Sequence, residues 1–157
     1  MFSLSDEDLR YYELKVTRGP RQMTAIAEHE ELEEGFSLSV LDTGSGAKMA
    51  DKILCACGER FLQKKIFSSI FLTGKGFART DWAPEFMRQI CNRRRVFVET
   101  AIFAKGAAMK AEDYLNESDS GSFVCLCEGK LKSTVSLEVM KRDTKTEISL
   151  ASAGESW

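Results

Sequence analysis

Polar and apolar positions alternate along some stretches of the chain and repeat with helical spacing along others, and this change of period predicts an α/β unit. Residues 9–16 read LRYYELKV, with Leu9, Tyr11, Glu13 and Lys15 on one side and Arg10, Tyr12, Leu14 and Val16 on the other. That two-residue period predicts a strand. Gly19-Pro20 is a turn signal, after which residues 22–27 are expected to pair back as a second strand. Residues 29–34 are acidic and predict a solvated face or connector. FSLSVL, residues 36–41, alternates again and predicts a third strand. Beyond the turn DTGSG the period becomes helical over residues 47–65, where Ala50, Ile53, Leu54, Cys57 and Phe61 line one face.

The stretch from residue 66 onward is the centre of the pattern. An apolar run, residues 66–73, stops at Gly74-Lys75-Gly76. A helix follows from about Trp82, with Pro84 in its first turn, where a missing N–H costs least. Trp82, Phe86, Met87, Ile90 and Cys91 fall on one side of it. Residues 95–99 predict another strand, and a last helix gathers Ala104, Ala107, Ala108, Ala111 and Leu115 on one face. Residues 116–122, NESDSGS, predict a linker. Residues 123–157 are β-like throughout, with a hairpin loop expected at residues 142–145 between the alternating Val135, Leu137 and Val139 and the later Ile148 and Leu150. About 35 residues of strand make no independent core, so this segment is expected to lie on the first domain or to belong to a β-domain cut at Trp157.

With 157 residues, 43% apolar and 29% charged, the chain is sized for one domain with a core and a small appendage. A net charge of -2 leaves no footprint for nucleic acid or anionic lipid. The apolar runs are too short to span a bilayer, and no leader-like segment opens the chain. Five cysteines, an odd number in apolar surroundings, point to a reduced, cytoplasmic setting.

Gly74-Lys75-Gly76 ends a strand, where open α/β sheets place ligands; its glycines would let a phosphate or nucleoside approach the backbone and Lys75 would add charge. A tight turn is the structural alternative. The order β-β-β-α-β-α-β-α is that of a ribonuclease H-like half-domain of the actin, heat-shock-chaperone and sugar-kinase ATPase superfamily. IFLTGKGF resembles that superfamily's adenosine motif, and AIFAKGAAMKA resembles its last helix, with Ala104, Gly106, Ala107, Ala108 and Ala111 matching. More narrowly, residues 74–77 (GxGF) and 94–97 (RRxF) are similar to a bacterial chaperone-like group. The resemblance implies a second ATPase lobe over residues 1–115, with Gly74, Lys75, Gly76 and Phe77 lining an adenosine-side surface and Gly106 at the hinge, where small residues let opposing helices approach.

The departures bear on activity. The superfamily's phosphate hairpin, Asp-x-Gly-Gly-Gly-Thr in type, falls on residues 3–8. There Ser3 replaces the acid, Ser5, Asp6 and Glu7 replace the glycines, and Asp8 replaces the threonine. Three carboxylates would repel a triphosphate, and side chains would block backbone approach. Lys75 also takes the second glycine of the adenosine turn. Phosphoryl transfer depends on positioning and charge from two lobes. The expectation is therefore a non-catalytic nucleotide-fold module that docks with a first lobe or another part of a larger protein. It would bind ATP or ADP weakly at most. A scaffold without nucleotide binding is the alternative, and a homo-oligomer is left open.

Three further motifs carry structural alternatives. Asp42-Thr43-Gly44 resembles the aspartic-protease turn, which would need a homodimer to pair two carboxylates; as a strand-to-helix turn it would use Ser45 as N-cap. Cys55-x-Cys57 and Cys125-x-Cys127 are spaced too closely for a structural zinc site and are expected as buried small hydrophobes. His29 is expected at the surface. Arg93-Arg94-Arg95 suits a helix C-terminus and is also a candidate for gripping a lobe, a subunit or a nucleotide.

Overall fold

The computed structural model describes residues 1–18, 23–34, 36–115, 123–127 and 129–156. In chain order the elements are β1 (Phe2–Leu4), β2 (Asp8–Arg18), β3 (Met23–Glu34), a 3-10 turn (Leu38–Asp42), α1 (Gly44–Leu62), β4 (Ser69–Thr73), a second 3-10 turn (Lys75–Phe77), α2 (Pro84–Ile90), β5 (Arg95–Val98), α3 (Ile102–Leu115), β6 (Phe123–Leu126), β7 (Val135–Lys141) and β8 (Thr144–Ala151). Six strands form one mixed sheet in the order β5-β4-β1-β2-β3-β6, and β7 and β8 form a separate antiparallel hairpin. The fold is thus the α+β arrangement expected of a ribonuclease H-like lobe, βββαβαβα, with a mixed sheet and a small β-rich segment after it. By its contacts the chain divides into two compact units, one of Met1–Glu13 with His29–Glu112, the other of Leu14–Glu28 with Asp113–Trp157.

Register explains the first unit's core. Phe2 pairs with Tyr11 and Leu4 with Leu9 across the antiparallel β1–β2 ladder, while β1 runs parallel to β4 with Phe2 opposite Leu72. Ser69–Arg95 through Leu72–Val98 continue the sheet in parallel to β5. Since side chains alternate between faces, Phe2, Leu4, Leu9, Tyr11, Ile70 and Leu72 share one buried face. Ala50, Leu54 and Phe61 of α1 and Phe86 and Ile90 of α2 join them in one cluster. Phe2 stands edge-on to Phe86 with ring centres 5.3 Å apart, and Tyr11 lies 4.3 Å from Phe61. Burying each such side chain contributes about 1.5–3 kcal/mol.

The contact between α1 and α2 has a polar hinge-pin. Pro84 occupies the first turn of α2, as its missing N–H predicts, but Ala83 before it supplies no side-chain cap. The acceptors come from α1 instead. Asp51, buried, takes the Phe86 N–H at 2.8 Å and the Glu85 N–H at 3.0 Å. Gly58 lets the helices close, since a Cβ there would stand 2.5 Å from Gln89 Oε1.

Several expectations are corrected. Residues 36–41 form no strand. Ser37 caps a 3-10 turn by accepting from the Ser39 N–H, and the Leu38 N–H is drawn to the Asp6 carbonyl at 3.2 Å. Serine at such positions offers the backbone a local partner, which wins over six residues of weak alternation. The third strand is instead β3, which takes in residues 29–34, and the first is β1, in the lead-in to the alternating run. Thr43, not Ser45, caps α1, accepting from the Gly46 N–H at 3.1 Å. Ile66 precedes β4 and is fully exposed. Cys91, Cys125 and Cys127 are exposed rather than buried, and Cys55 and Cys57 are half-buried. The expected linker, residues 116–122, and the Gly19-Pro20 turn lie outside the described residues. In the second unit β6 pairs in parallel with β3, Ala25 opposite Cys125. The β7–β8 hairpin turns tightly on Arg142 and Asp143, both at positive φ, with Lys141 opposite Thr144.

Asp51→Ala should leave two buried amides without acceptors and lower the unfolding free energy by about 3 kcal/mol. Asp51→Asn, which keeps one acceptor oxygen, should cost less than half of that. Urea denaturation followed by circular dichroism measures both.

Candidate functional site

Because β1 and β4 are parallel neighbours, their C-terminal ends lie side by side, and three of the sequence motifs meet there. Gly74 leaves β4 at φ +90, and a Cβ on it would fall 2.3 Å from the Leu4 carbonyl oxygen. At Gly76 a Cβ would fall 2.3 Å from Leu4 Cδ2 and 2.8 Å from Leu38 Cδ2. Both glycines are thus required by the end of β1 itself. The chain then tightens into a single 3-10 turn, with the Phe77 N–H donating to Gly74 O at 3.2 Å and the Ala78 N–H to Lys75 O at 3.1 Å. That turn drives Phe77 into the core, fully buried, with its ring stacked 6.4 Å from Phe86 and 6.2 Å from Trp82. Trp82 Nε1–H donates to Gly76 O at 3.0 Å and locks the turn from outside.

Lys75 projects outward and meets the Asp6 carboxylate at 2.6 Å. Asp6 belongs to the β1–β2 turn, where Ser5 also hydrogen-bonds to the Asp8 carboxylate and Asp8 pairs with Arg10 at 2.7 Å. Beside the Lys75–Asp6 pair lies a depression of about 260 Å³ whose apolar wall is Leu38, Leu41 and Trp82 and whose rim carries Asp42, Lys75, Arg79 and Asp81. Arg79 grips Asp81 through Nε at 3.2 Å and a second nitrogen at 2.7 Å, and that hydrogen-bonded guanidinium holds the exposed Asp81 carboxyl below its ordinary range.

The arrangement can shelter a small flat apolar group against Leu38, Leu41 and Trp82. Its surroundings are unfavourable to a triphosphate: the β1–β2 turn beside it carries the Asp6 and Asp8 carboxylates, whose charge repels phosphate, and Leu4 and Leu38 crowd the Gly76 position. Of the predicted site residues, Gly74, Lys75 and Gly76 come together here. Phe77 is fully buried and contributes packing alone. Gly106 does not line the depression; it sits on α3, where an added Cβ would touch nothing. Asp42 reaches the rim, but Thr43 and Gly46 beside it serve the α1 cap, Gly46 lying so close to Val40 O that a Cβ would be 2.1 Å away. Arg79, Asp81 and the two leucines were not singled out from sequence as site residues.

Cys55 is the nucleophile-bearing group of the core. Burial pushes its thiol up to about 11, and the Asp51, Glu85 and Glu59 carboxylates add to the shift, so it stays a thiol at neutral pH. Among the described residues no group of three or more His, Cys, Asp or Glu is placed to hold a metal ion, and no helix is long and apolar enough to cross a membrane.

Residues 1–128 match the family described as "Family of unknown function (DUF5716) C-terminal". The chain belongs to that family. No curated protein and no solved structure matches it. The DUF5716 match takes in all six strands of the sheet and the whole depression, and it stops before the β7–β8 hairpin.

Gly74→Ala and Gly76→Ala should each destabilise the fold by about 2 kcal/mol or more, because the added methyl meets Leu4 at both positions. Lys75→Ala should cost under about 1 kcal/mol, as an exposed pair does. Thermal melts rank the three. Stability should also fall as pH rises from about 9, the ordinary thiol value, toward about 11, since the unfolded chain ionises Cys55 first. The buried phenol of Tyr11, also held above its ordinary value, extends that loss to higher pH. Cys55→Ala should flatten the urea midpoint between pH about 9 and 10 and leave the later Tyr11 slope in place.

Proposed function

We propose that this chain is a non-catalytic module of nucleotide-binding fold, a relative of the second lobe of actin-like and chaperone-like ATPases. It docks with a partner lobe and offers at most a weak adenosine-side surface. The Lys75–Asp6 pair carries this reading: the one cation of the glycine turn is spent on a carboxylate of the β1–β2 turn, the turn that a catalytic lobe of the proposed kind would turn toward phosphate. Two observations support docking. The face of α3 bearing Ala104, Ala107, Ala108 and Ala111 is exposed, and residues of that size suit close helix approach. The family is itself described as a C-terminal part, which suits a module completed by another segment in a cytoplasmic protein. A second reading, a scaffold without nucleotide binding, is favoured by the filling of the Gly76 position by Leu4 and Leu38.

With ATP and magnesium the chain should release no phosphate above buffer. In calorimetry ADP and adenosine should bind alike, with Kd about 1 mM, since the phosphates gain nothing. Measurable hydrolysis overturns the proposal, and a complete lack of heat and thermal shift selects the scaffold. Ala107→Glu with Ala111→Glu should leave the melting temperature within about 3 °C while abolishing association with the partner lobe.

A further inference from the structure

At the other end of the parallel strands, where β4 and β5 begin, α1 and α2 both finish. The segments that follow them meet in a cleft of about 380 Å³ lined by Lys65, Ile66, Phe67, Asn92, Arg93 and Arg94. Three features mark this end of the strands. Lys64 and Arg93, one after each helix, hold φ of 62 and 58, a left-handed conformation that glycine adopts without strain and long side chains do not favour. Lys64 in particular follows Gln63 at φ -64 and ψ 133 in a turn closed by the Lys65 N–H on Leu62 O, a shape that takes glycine or asparagine at its third position.

Arg93, Arg94 and Arg95 stand in a row, and none forms an ion pair with a described residue, whereas Lys65 beside them is met by Glu13 at 2.7 Å. Finally, Ile66 is fully exposed, and β5, which starts at Arg95, is the end strand of the sheet. Its Phe97 and Val98 are 44% and 48% exposed. Basic residues suit helix C-termini, but that role needs neither a left-handed backbone nor three arginines.

We propose that this cleft and the free edge of β5 bind an extended, carboxylate-rich peptide segment of a partner protein. Its acidic residues meet Arg93, Arg94 and Arg95, and the residues after them add a strand along β5. Guanidinium groups match carboxylates in paired hydrogen bonds, and an unpaired strand edge supplies main-chain partners. The Glu99 N–H donates inward to Leu72 O at 2.9 Å, so by the two-residue period the Val98 N–H faces outward. Ile66, Phe97 and Val98 give the alternating side chains of such a strand apolar contacts. A nucleic acid has no strand to add, and the net charge of -2 disfavours a long polyanion. The inference is independent of the nucleotide-fold reading, which concerns the opposite strand ends.

Fluorescence anisotropy with a labelled Glu-Glu-Glu-Val-Thr-Val-Thr peptide tests it. The peptide should bind with Kd below about 100 μM at low salt and weaken as salt rises, while its triple-lysine counterpart and an alternately N-methylated version should not bind. Arg94→Glu with Arg95→Glu should weaken binding about tenfold or more. Arg93→Gly should weaken it about threefold with a melting temperature at or above that of the parent chain, separating a binding arginine from a structural one. Equal binding of the lysine or N-methylated peptide, unchanged affinity of the variants, no binding at about 1 mM, or tighter binding of oligothymidine overturns the proposal.

Discussion

Asp51 adds a polar tie to two helices whose apolar faces already meet. α2 has seven residues, too few to be stable by its own hydrogen bonds, and Ala83 leaves its first amides without a cap. A carboxylate projecting from the middle of α1 supplies both missing acceptors and sets a negative charge at the positive end of a helix dipole. Taking that carboxylate out of water costs several kcal/mol, about what two charge-assisted hydrogen bonds and the dipole return. The gain is therefore positional more than energetic. Once α2 is pinned, Phe86 and Ile90 can only lie against Phe2 and its neighbours, and the sheet face closes.

The turn at the end of β4 inherits its shape from the same pin. Trp82 enters α2 and reaches back to Gly76 O, Phe77 stacks on Phe86, and the glycines accept the pressure of Leu4. A glycine-rich strand end that reads as a ligand cradle is here filled from within by the neighbouring strand. What is left outside is a shallow depression whose rim cations are each matched by a carboxylate, Lys75 with Asp6 and Arg79 with Asp81.

The parts legible in the sequence are those where one strong local signal agrees with packing. Pro84 announced the start of α2, the alternation of residues 9–16 found most of β2, and the Arg142-Asp143 turn fell inside the expected loop. Elsewhere local and tertiary signals compete. Phe36, Leu38 and Leu41 all pack toward the core, which looks like half a strand, but the serines between them cap a turn. β1 is only three residues long, and its strand character comes from two neighbours rather than from its own pattern. Asp51 was invisible because a carboxylate at a helical position reads as solvent-facing until the helix that needs it is in place. The α3 alanines show the converse: helical spacing put them on one face, yet that face is exposed among the described residues.

Net charge hides an asymmetry that only the fold displays. Twenty-two basic and 24 acidic residues nearly cancel along the sequence. At the C-terminal ends of β1 and β4 the cancellation is local in space, with Arg79 held by Asp81 two residues on and Lys75 by Asp6 at the end of the neighbouring strand. At the beginnings of β4 and β5 it is not: Arg93 and Arg95 are exposed, Arg94 is half-buried, and none of the three pairs with a described carboxylate. Helix geometry made this so: α1 and α2 both run back to that side of the sheet, so the basic residues that follow them, Lys64 and Lys65 after α1 and Arg93 to Arg95 after α2, are collected in one place. A pattern that is favourable helix by helix thus becomes a concentrated positive field once two helix ends converge, and such a field acts on carboxylates of another chain through the same forks that suit them within one.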